Sequence, residues 1–270
     1  MSPQPSKSQM PVVIVCGGQG TRLREETEYR PKPMVEIGGK PILWHIMKLY
    51  GHHGIERFVL CLGYMGYKIK QYFLRYHEFQ RDFTISMAAE EPPVFHNRAG
   101  EESWRVTLAE TGLESGTGAR LWRVRDYIDC DTFMFTYGDA VGNVDIDALL
   151  AYHRASGRIA TVTGVHPTGR YGEMQVKDGR AIEFNEKPRV TEGIVNGGFF
   201  VFQRRVFDYL NDDPSLYLEQ EPLQKLARDG QLSVYVHEGE WYPMDTYRDY
   251  LLLNKLWASG NVPWKLWKDV

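Results

Sequence analysis

Apolar and polar residues along the chain form blocks whose periods predict strands and helices in alternation. Short apolar runs, typical of buried strands, occupy 12–16, 57–62, 83–88, 132–137, 159–165, 196–202 and 232–237. Segments with helical spacing occupy 41–53, 66–77, 119–128, 145–156, 220–229 and 246–258. This alternation predicts an α/β protein with a mostly parallel sheet and helices on both of its faces.

The second half of the chain differs from the first in its pattern. Residues 171–187 alternate in polarity and contain Asp178-Gly179, which predicts a hairpin. We find no internal repeat, low-complexity tract or clear linker, so we expect one domain over 11–270. Residues 1–10 begin with a polar stretch that holds two prolines and lacks the apolar centre of a signal peptide. We expect a disordered tail there.

The composition is that of an ordinary globular protein, with 43% hydrophobic and 25% charged residues in a chain of 270. A formal net charge of −3 gives no electrostatic reason to expect nucleic acid as a partner. No apolar run reaches about 18 residues, so we expect no membrane span. Cys16, Cys61 and Cys130 lie far apart in or beside apolar segments, which indicates buried thiols in a reducing cytoplasm rather than disulfides or metal ligands.

The first predicted strand ends in a glycine-rich loop, Gly17-Gly18-Gln19-Gly20-Thr21-Arg22-Leu23. Glycines directly after a strand allow a tight turn and a close approach of a ligand to the backbone. The free amide groups of such a loop can hold phosphate. Arg22, and Lys32 between two prolines, supply the positive charge that phosphate requires. A turn without a ligand would need neither cation, so we interpret the loop as a phosphate site.

Two other glycine-rich loops do not fit this sequence. A Walker A loop ends in Gly-Lys-Ser/Thr, whereas this loop ends in Gly-Thr-Arg. A dinucleotide fingerprint requires a small residue where Leu23 stands and an acidic residue about 20 positions further on. Glu36 comes too early for that role, and Pro31 and Pro33 interrupt the helix that a dinucleotide fold needs there.

Asp139 follows the apolar run at 132–137 through Gly138, at the carboxyl end of a predicted strand. Ligands of open α/β sheets bind beyond these ends, so Asp139 is expected in the same crevice as the glycine-rich loop. A carboxylate beside phosphate is a natural ligand for Mg²⁺, although Asp139 could instead cap the following helix. Asp245, just before the last predicted helix, is a second candidate ligand, but spacing alone does not separate that role from an N-cap.

Further polar residues are candidate contacts to a ligand. Lys187, before Pro188, would bind phosphate or be a solvated surface charge. Asn196 and Gly197 precede an apolar strand, where they would bind a sugar or form a simple turn. Glu219 would accept hydrogen bonds from sugar hydroxyls or favour the start of a helix.

Another glycine-containing loop, 115–118, precedes a predicted helix. Its Ser115, with Arg120 just beyond it, would hold a phosphate, a ribose or a base edge, or the loop would only cap that helix. The C-terminal region is rich in tryptophan (Trp241, Trp257, Trp264 and Trp267), which is more typical of a core or a subunit interface than of a ligand site.

Together these segments resemble the glucose-1-phosphate cytidylyltransferases, a branch of the sugar-phosphate nucleotidylyltransferase family. The resemblance covers the chain from about 11 to 267. It rests on the segments 17–23, 31–47, 135–139, 196–201, 219–223 and 243–246. Tyr137 and the pair Trp44-His45 are more particular to the cytidylyl branch than to its thymidylyl or uridylyl relatives.

The resemblance implies a Rossmann-like nucleotidyltransferase sheet, with a nucleotide-binding part over about 11–165. A smaller β-rich part over about 166–270 would bind the sugar and support a homo-oligomer. The implied reaction is Mg²⁺-dependent, in-line transfer of a cytidylyl group from CTP to glucose 1-phosphate, giving CDP-glucose and pyrophosphate. The implied setting is the cytoplasm, in deoxysugar and O-antigen biosynthesis, with no nucleic acid or membrane partner.

The resemblance also implies roles for single residues. Arg22, Lys32 and Asp139 would be catalytic, and Asp139 and Asp245 would bind Mg²⁺. Ser115 and Arg120 match cytidine contacts, and Lys187 matches the sugar-phosphate lysine. The full set of expected substrate contacts is Gly17, Gly18, Gln19, Gly20, Thr21, Ser115, Arg120, Gly138, Lys187, Asn196, Gly197 and Glu219.

Two departures and two alternatives accompany this assignment. Ala140 stands where the family usually has glycine, and alanine disfavours positive φ, so the turn after Asp139 is expected to differ slightly. The first ten residues precede the usual start. A UTP- or dTTP-dependent enzyme, or one that acts on another hexose 1-phosphate, has the same mechanism and motifs. A non-catalytic sugar-nucleotide-binding subunit would not need the charged residues that are all present.

Overall fold

The computed structural model describes residues 7–88, 91–96, 102–167, 173–177, 180–185 and 193–268. The strands are β1 Pro11–Val15, β2 Glu36–Ile37, β3 Lys40–Pro41, β4 Arg57–Leu62, β5 Phe83–Thr84, β6 Val94–Phe95, β7 Arg105–Glu110, β8 Thr132–Tyr137, β9 Ala140–Gly142, β10 Ala160–Val165, β11 Glu173–Lys177, β12 Arg180–Asn185, β13 Val195–Gln203, β14 Leu232–His237 and β15 Trp241–Pro243. The helices are α1 Arg24–Thr27, α2 Ile42–His52, α3 Gly66–Leu74, α4 Tyr76–Gln80, α5 Thr117–Arg123, α6 Ile146–Ser156, α7 Glu221–Arg228 and α8 Tyr247–Ala258.

Seven strands form the central sheet, in the order β14-β10-β13-β8-β1-β4-β7. All neighbouring pairs are parallel except those of β13, which runs antiparallel to both β10 and β8. The mostly parallel α/β sheet predicted from the sequence is therefore confirmed. Smaller two-stranded antiparallel sheets (β2-β3, β5-β6, β9-β15 and β11-β12) surround it.

Both faces of the sheet are buried, as β1 shows. Val12 and Ile14 contribute to one hydrophobic cluster together with residues of α2, whereas Val13 contributes to a second cluster together with residues of α5. A parallel strand covered on both faces reads as a continuous apolar run, which explains the sequence pattern. Because both faces of the sheet are apolar, helices cover both of them.

Several predicted boundaries are correct and one strand is wrong. The strands predicted at 57–62 and 132–137 match β4 and β8 to the residue. The strand predicted at 83–88 is only β5, two residues long, which pairs with β6 outside the central sheet. The strand that forms the edge of the central sheet beside β4 is β7. The sequence pattern did not predict β7, because an edge strand has an exposed side, and Arg105 and Glu110 at its ends are exposed.

Two predicted helices are shorter than expected. The segment 66–77 is divided into α3 and α4 at Arg75, and 119–128 contains α5 followed by a short 3₁₀ helix, Arg125–Tyr127. The hairpin predicted at 171–187 is formed by β11 and β12, while its Asp178-Gly179 turn lies outside the described residues. Asp145 caps α6, since its carboxylate accepts a hydrogen bond from the N–H of Ala148 at 2.9 Å.

The central sheet contains strands from both predicted parts of the chain. β13 pairs with β8 and β10, and β14 pairs with β10.

The predicted tail over 1–10 is too long, since Lys7–Gln9 form a 3₁₀ turn and Met10 is 1% exposed in the core. Within the described part of the chain, no helix has the length and apolar character needed to cross a membrane.

Candidate active site

A cavity of about 440 Å³ opens at the carboxyl ends of β1 and β8. It brings together most of the residues predicted from sequence to form a site. Those that line it are Gly18, Gly20, Thr21, Arg22, Lys32, Gly138, Asp139, Asn196, Gly197 and Asp245. The cavity therefore joins the glycine-rich loop, both predicted metal ligands and the Asn196-Gly197 segment in one crevice.

The glycine-rich loop turns into the site at Gly20, which has a φ of +63°. The side chain of Thr27 donates a hydrogen bond to the Gly20 carbonyl oxygen at 3.0 Å. A Cβ atom on Gly20 would lie 2.8 Å from Cγ2 of Thr27, so both conformation and space require glycine here. Thr21–Leu23 then form a 3₁₀ turn that carries Arg22 to the rim of the cavity, where its side chain is 72% exposed.

Arg120 supports this loop from behind. Its side chain is buried, and Nη2 donates to the carbonyl oxygen of Gly17 at 3.2 Å. Its other hydrogen bonds go to the carbonyl oxygens of Leu62 and Leu113 and to the hydroxyl of Thr111. Four acceptors thus hold one guanidinium, and Arg120 does not line the cavity. The sequence indicated a ligand contact or a helix start but not this buttress.

Ser115 and Gln19 also lie away from the cavity lining. The hydroxyl of Ser115 accepts a hydrogen bond from Nη1 of Arg123 at 2.6 Å, and Gln19 is exposed. Contacts of these residues with cytidine or phosphate stay predictions. Lys187 lies outside the described residues.

The short ribbon of β9 and β15 places the two predicted metal ligands side by side. Pro243 pairs with Ala140 in this ribbon, and the residues directly flanking the pair are Asp139 and Met244. Ala140 lies in a strand and does not have positive φ, so the departure from the family pattern costs nothing in backbone strain. Asp245 follows Met244 and reaches the same cavity.

The N-cap of α8 is Thr246, not Asp245. The hydroxyl of Thr246 accepts a hydrogen bond from the N–H of Asp249, whose carboxylate accepts one from the N–H of Thr246 in return. This capping box satisfies the helix start without the Asp245 side chain. The capping alternative for Asp245 is therefore wrong, and Asp245 lines the cavity instead.

Lys32 lies between the two carboxylates. Its Nζ is 2.7 Å from Oδ2 of Asp139 and 2.8 Å from Oδ1 of Asp245. Burial, the largest single effect, lowers the pKa of Lys32, but the two aspartates together outweigh it and raise the pKa above its usual value. The ammonium is therefore charged at neutral pH. Arg22 adds a weaker contact, with Nη1 at 3.4 Å from Oδ2 of Asp245.

Another part of the cavity wall is a hydrogen-bonded group around Tyr137. Its hydroxyl donates to the carboxylate of Glu219 and accepts from Nδ2 of Asn196 at 3.2 Å. The other Glu219 oxygen accepts from the hydroxyl of Thr117 at 2.6 Å. Burial, and then the nearby Glu219 charge, raise the pKa of Tyr137, so the phenol stays protonated. Glu219 itself does not line the cavity, but Tyr137 and Thr117 do.

Trp241 is a cavity residue that sequence reasoning assigned to a core or interface. It lies in β15, and its Nε1 donates to the carbonyl oxygen of Gly197 at 2.9 Å. The signal that could have found it is its place four residues before Asp245. For Trp264 and Trp267 the core interpretation is correct, since both are buried against His45.

Cys16 lines the cavity as well, directly before the glycine-rich loop. Burial, followed by the nearby Cys61, raises the pKa of the Cys16 thiol well above its usual value, so it is not a thiolate nucleophile. All three cysteines are free; Cys16 and Cys61 are buried as predicted, whereas Cys130 is only half-buried.

Comparison with known proteins identifies the family to which this chain belongs. A family model described as Nucleotidyl transferase matches residues 11–270. The glucose-1-phosphate cytidylyltransferases of Salmonella typhimurium and Salmonella typhi are each 49% identical over 260 residues, covering 96% of this chain and 100% of the relative. The solved structure of HddC from Yersinia pseudotuberculosis matches with a TM-score of 0.64 at 23% identity, over 92% of this chain and 100% of that one, which supports the fold. The chain therefore belongs to the nucleotidyl transferase family, and it is similar over nearly its whole length to glucose-1-phosphate cytidylyltransferases.

Proposed function

We propose that this protein transfers the cytidylyl group of CTP to glucose 1-phosphate, producing CDP-glucose and pyrophosphate. The observation that carries the proposal is the position of Lys32 between Asp139 and Asp245, beside a glycine-rich loop. This arrangement provides cations and carboxylates at one point, as a reaction between phosphates requires. The names of the closely similar Salmonella relatives supply the nucleotide and the sugar.

Asp139 and Asp245 are the residues that would hold Mg²⁺. Both carboxylates come within hydrogen-bond distance of one ammonium, so the site already accommodates a cation between them. A pair of carboxylate oxygens at an open cavity suits Mg²⁺, which keeps water and phosphate oxygens as its other ligands. When bound, the ion would offset the negative charge of the triphosphate and its leaving group.

The mechanism then follows from the charged residues of the cavity. The backbone amides of 17–21 would hold the triphosphate, and Arg22 at the rim would contact its outer phosphates. Lys32 would balance the charge that develops as an oxygen of the sugar phosphate attacks the α-phosphorus and pyrophosphate leaves in line. The buried thiol of Cys16 does not serve as a nucleophile, so a direct transfer fits the site. Catalysis is then positioning and preorganised electrostatics.

The group around Tyr137 would bind the sugar. Asn196 and Gly197 line the cavity beside it, and Glu219 accepts a hydrogen bond from Tyr137. Lys187 would bind the sugar phosphate, while Ser115 and Arg120 would act at the cytidine end, Arg120 through the loop that it supports. A nucleotide-binding part over about 11–165, a sugar-binding and oligomerisation part over about 166–270, a homo-oligomer and a cytoplasmic location belong to the same proposal.

The test is pyrophosphate release with glucose 1-phosphate and Mg²⁺, with CTP, UTP, dTTP, ATP and GTP compared at equal concentration. Release with CTP well above the others, lost on chelation of the metal, is the expected result. Release with UTP or dTTP would keep the reaction class and overturn the base assignment. Absence of release with every nucleotide and a panel of hexose 1-phosphates would overturn the enzymatic proposal in favour of a binding subunit.

A further inference from the structure

A second cavity, of about 390 Å³, lies at the amino end of β8, the end opposite the proposed active site. Its lining includes Thr132, the first residue of β8, and Gln203, the last residue of the antiparallel β13. The proposed active site begins at the other end of β8, at Tyr137. A strand of six residues spans roughly 20 Å, so the two cavities are separated by about the length of β8.

Three arginines, Arg154, Arg204 and Arg205, dominate this cavity. Within the described residues, none of the three forms an ion pair with a carboxylate. Asp131 is the acidic residue among those that line the cavity, so the arginines leave an excess of positive charge. The whole chain carries a net charge of −3, so this local excess runs against the overall balance.

A buried histidine forms the inner wall. His153 is 2% exposed, and its Nδ1 is held by the hydroxyl of Thr161 at 2.8 Å, which in turn contacts the hydroxyl of Ser233 at 2.8 Å. Burial, and then the charge of Arg154, lower the pKa of His153 to about 4, so the ring is neutral at pH 7. Nδ1 is held by Thr161, and His153 is one of the residues that line the cavity.

We propose that this second cavity binds a diphosphate-type anion, either free pyrophosphate or the diphosphate of a nucleotide or sugar nucleotide. Three guanidiniums offer paired N–H donors that match phosphate oxygens, and their combined charge suits an anion with several negative charges better than a single carboxylate. The three arginines are exposed, so the site is an open groove, and its volume is within the range of small-molecule sites. The proposal concerns a site separate from the proposed active site and does not depend on the reaction assigned there.

The reporter for this site is His153 itself. Histidine-labelled protein is titrated with pyrophosphate, CTP and CDP-glucose in EDTA, and the ring signals are followed by NMR, with the His153 signal assigned from a His153→Gln variant. The expected result is a saturable shift of the His153 signal. Comparison of the three ligands identifies whether the free anion or a nucleotide diphosphate is the preferred occupant. If none of the three ligands shifts the His153 signal, the proposal is overturned.

Variants separate specific binding from general screening by salt. Arg204→Gln with Arg205→Gln should weaken the titration by about tenfold or more, because two charge-assisted contacts are lost. Arg228→Gln, on the exposed end of α7, is the matched control and should titrate like the unaltered protein. Arg154→Gln alone provides a milder variant if the double variant is poorly folded. An unchanged titration in the arginine variants, or an equal shift with chloride at the same ionic strength, would contradict the proposed site.

Discussion

The backbone N–H of Met244 donates a hydrogen bond of 2.8 Å to the carbonyl oxygen of Asp139. This bond continues the β9–β15 ribbon and brings the carboxylate of Asp245 to the same ammonium that Asp139 contacts. Two aspartates far apart in the chain thereby become neighbours at the carboxyl end of β8. The geometry of the proposed metal site depends on the backbone pairing as much as on the two side chains.

Replacement of either aspartate should remove activity while the fold is kept. Asp139→Asn or Asp245→Asn takes away one charge that faces Lys32 and one proposed magnesium ligand. We expect turnover to fall by about 10² or more, by analogy with the loss of one preorganised electrostatic group. The measurement is pyrophosphate release at saturating substrates. Asp126→Asn, on an exposed turn away from the cavity, is the control and should retain normal turnover.

The outcome that contradicts this prediction is specific. Near-normal turnover in Asp245→Asn, with the same dependence on Mg²⁺ as the unaltered protein, would exclude Asp245 as a metal ligand. A loss of turnover accompanied by a lower thermal midpoint would instead indicate a structural role for the contact with Lys32.

The sequence was sufficient to predict one half of this relationship. The position of Asp139 after an apolar strand follows from local pattern and from the rule that ligands bind at carboxyl ends of strands. The position of Asp245 does not, because pairing between β9 and β15 is a long-range contact of three residues on each strand, too short to leave a periodic signal. Only the resemblance to a family favoured the metal role of Asp245 over that of an N-cap.

Tyr137→Phe should alter sugar binding more than folding. The substitution removes the hydroxyl that donates to Glu219 and accepts from Asn196. Both partners then lose a hydrogen bond that fixes their side chains at the cavity wall. We expect KM for the sugar phosphate to rise severalfold to about tenfold, with a stability loss of about 1 kcal/mol, typical of one hydrogen bond. Steady-state kinetics and urea unfolding measure the two effects.

The matched control for Tyr137→Phe is Tyr127→Phe, since Tyr127 is 46% exposed and lies away from the cavity. It should change neither KM nor stability. An unchanged KM for the sugar phosphate in Tyr137→Phe would show that the hydroxyl does not organise the sugar site.

Gly17→Ala and Gly18→Ala form a pair that tests the buttress under the glycine-rich loop. A Cβ atom on Gly17 would lie 2.1 Å from Nη1 of Arg120, whereas a Cβ on Gly18 would meet no atom within 4 Å. Arg120 cannot move aside without losing hydrogen bonds to buried carbonyl oxygens. We therefore expect Gly17→Ala to lower the free energy of unfolding by about 1–3 kcal/mol, the usual cost of overpacking, and Gly18→Ala to leave it nearly unchanged.

Urea unfolding of the two glycine variants provides the comparison. Equal stabilities would mean that the Arg120 side chain relocates freely, and its hydrogen bonds to the loop would then carry little energy. The sequence indicated that the loop needs glycine for a ligand. It could not show that Gly17 needs glycine for a buried arginine, because that contact joins segments from β1 and α5 that are distant in the chain.

The stability of the protein should fall in mild acid because of His45. This ring is fully buried, and Nε2 donates to the carbonyl oxygen of Ile37 at 2.9 Å. Burial is the main cause that lowers the pKa of His45 to about 4. The unfolded chain binds a proton at a pKa of about 6.5, so the neutral ring stabilises the fold above that pH, and this stability is lost as the pH falls towards 4.

The slope of the unfolding free energy between pH 6 and pH 4.5 measures this effect. Each buried neutral histidine contributes up to about 1.4 kcal/mol per pH unit in this window, and His153, whose pKa is also lowered to about 4, contributes in the same direction. We expect His45→Gln to reduce the slope by about one proton without abolishing it. An unchanged slope in His45→Gln would show that the buried ring of His45 takes up its proton without unfolding.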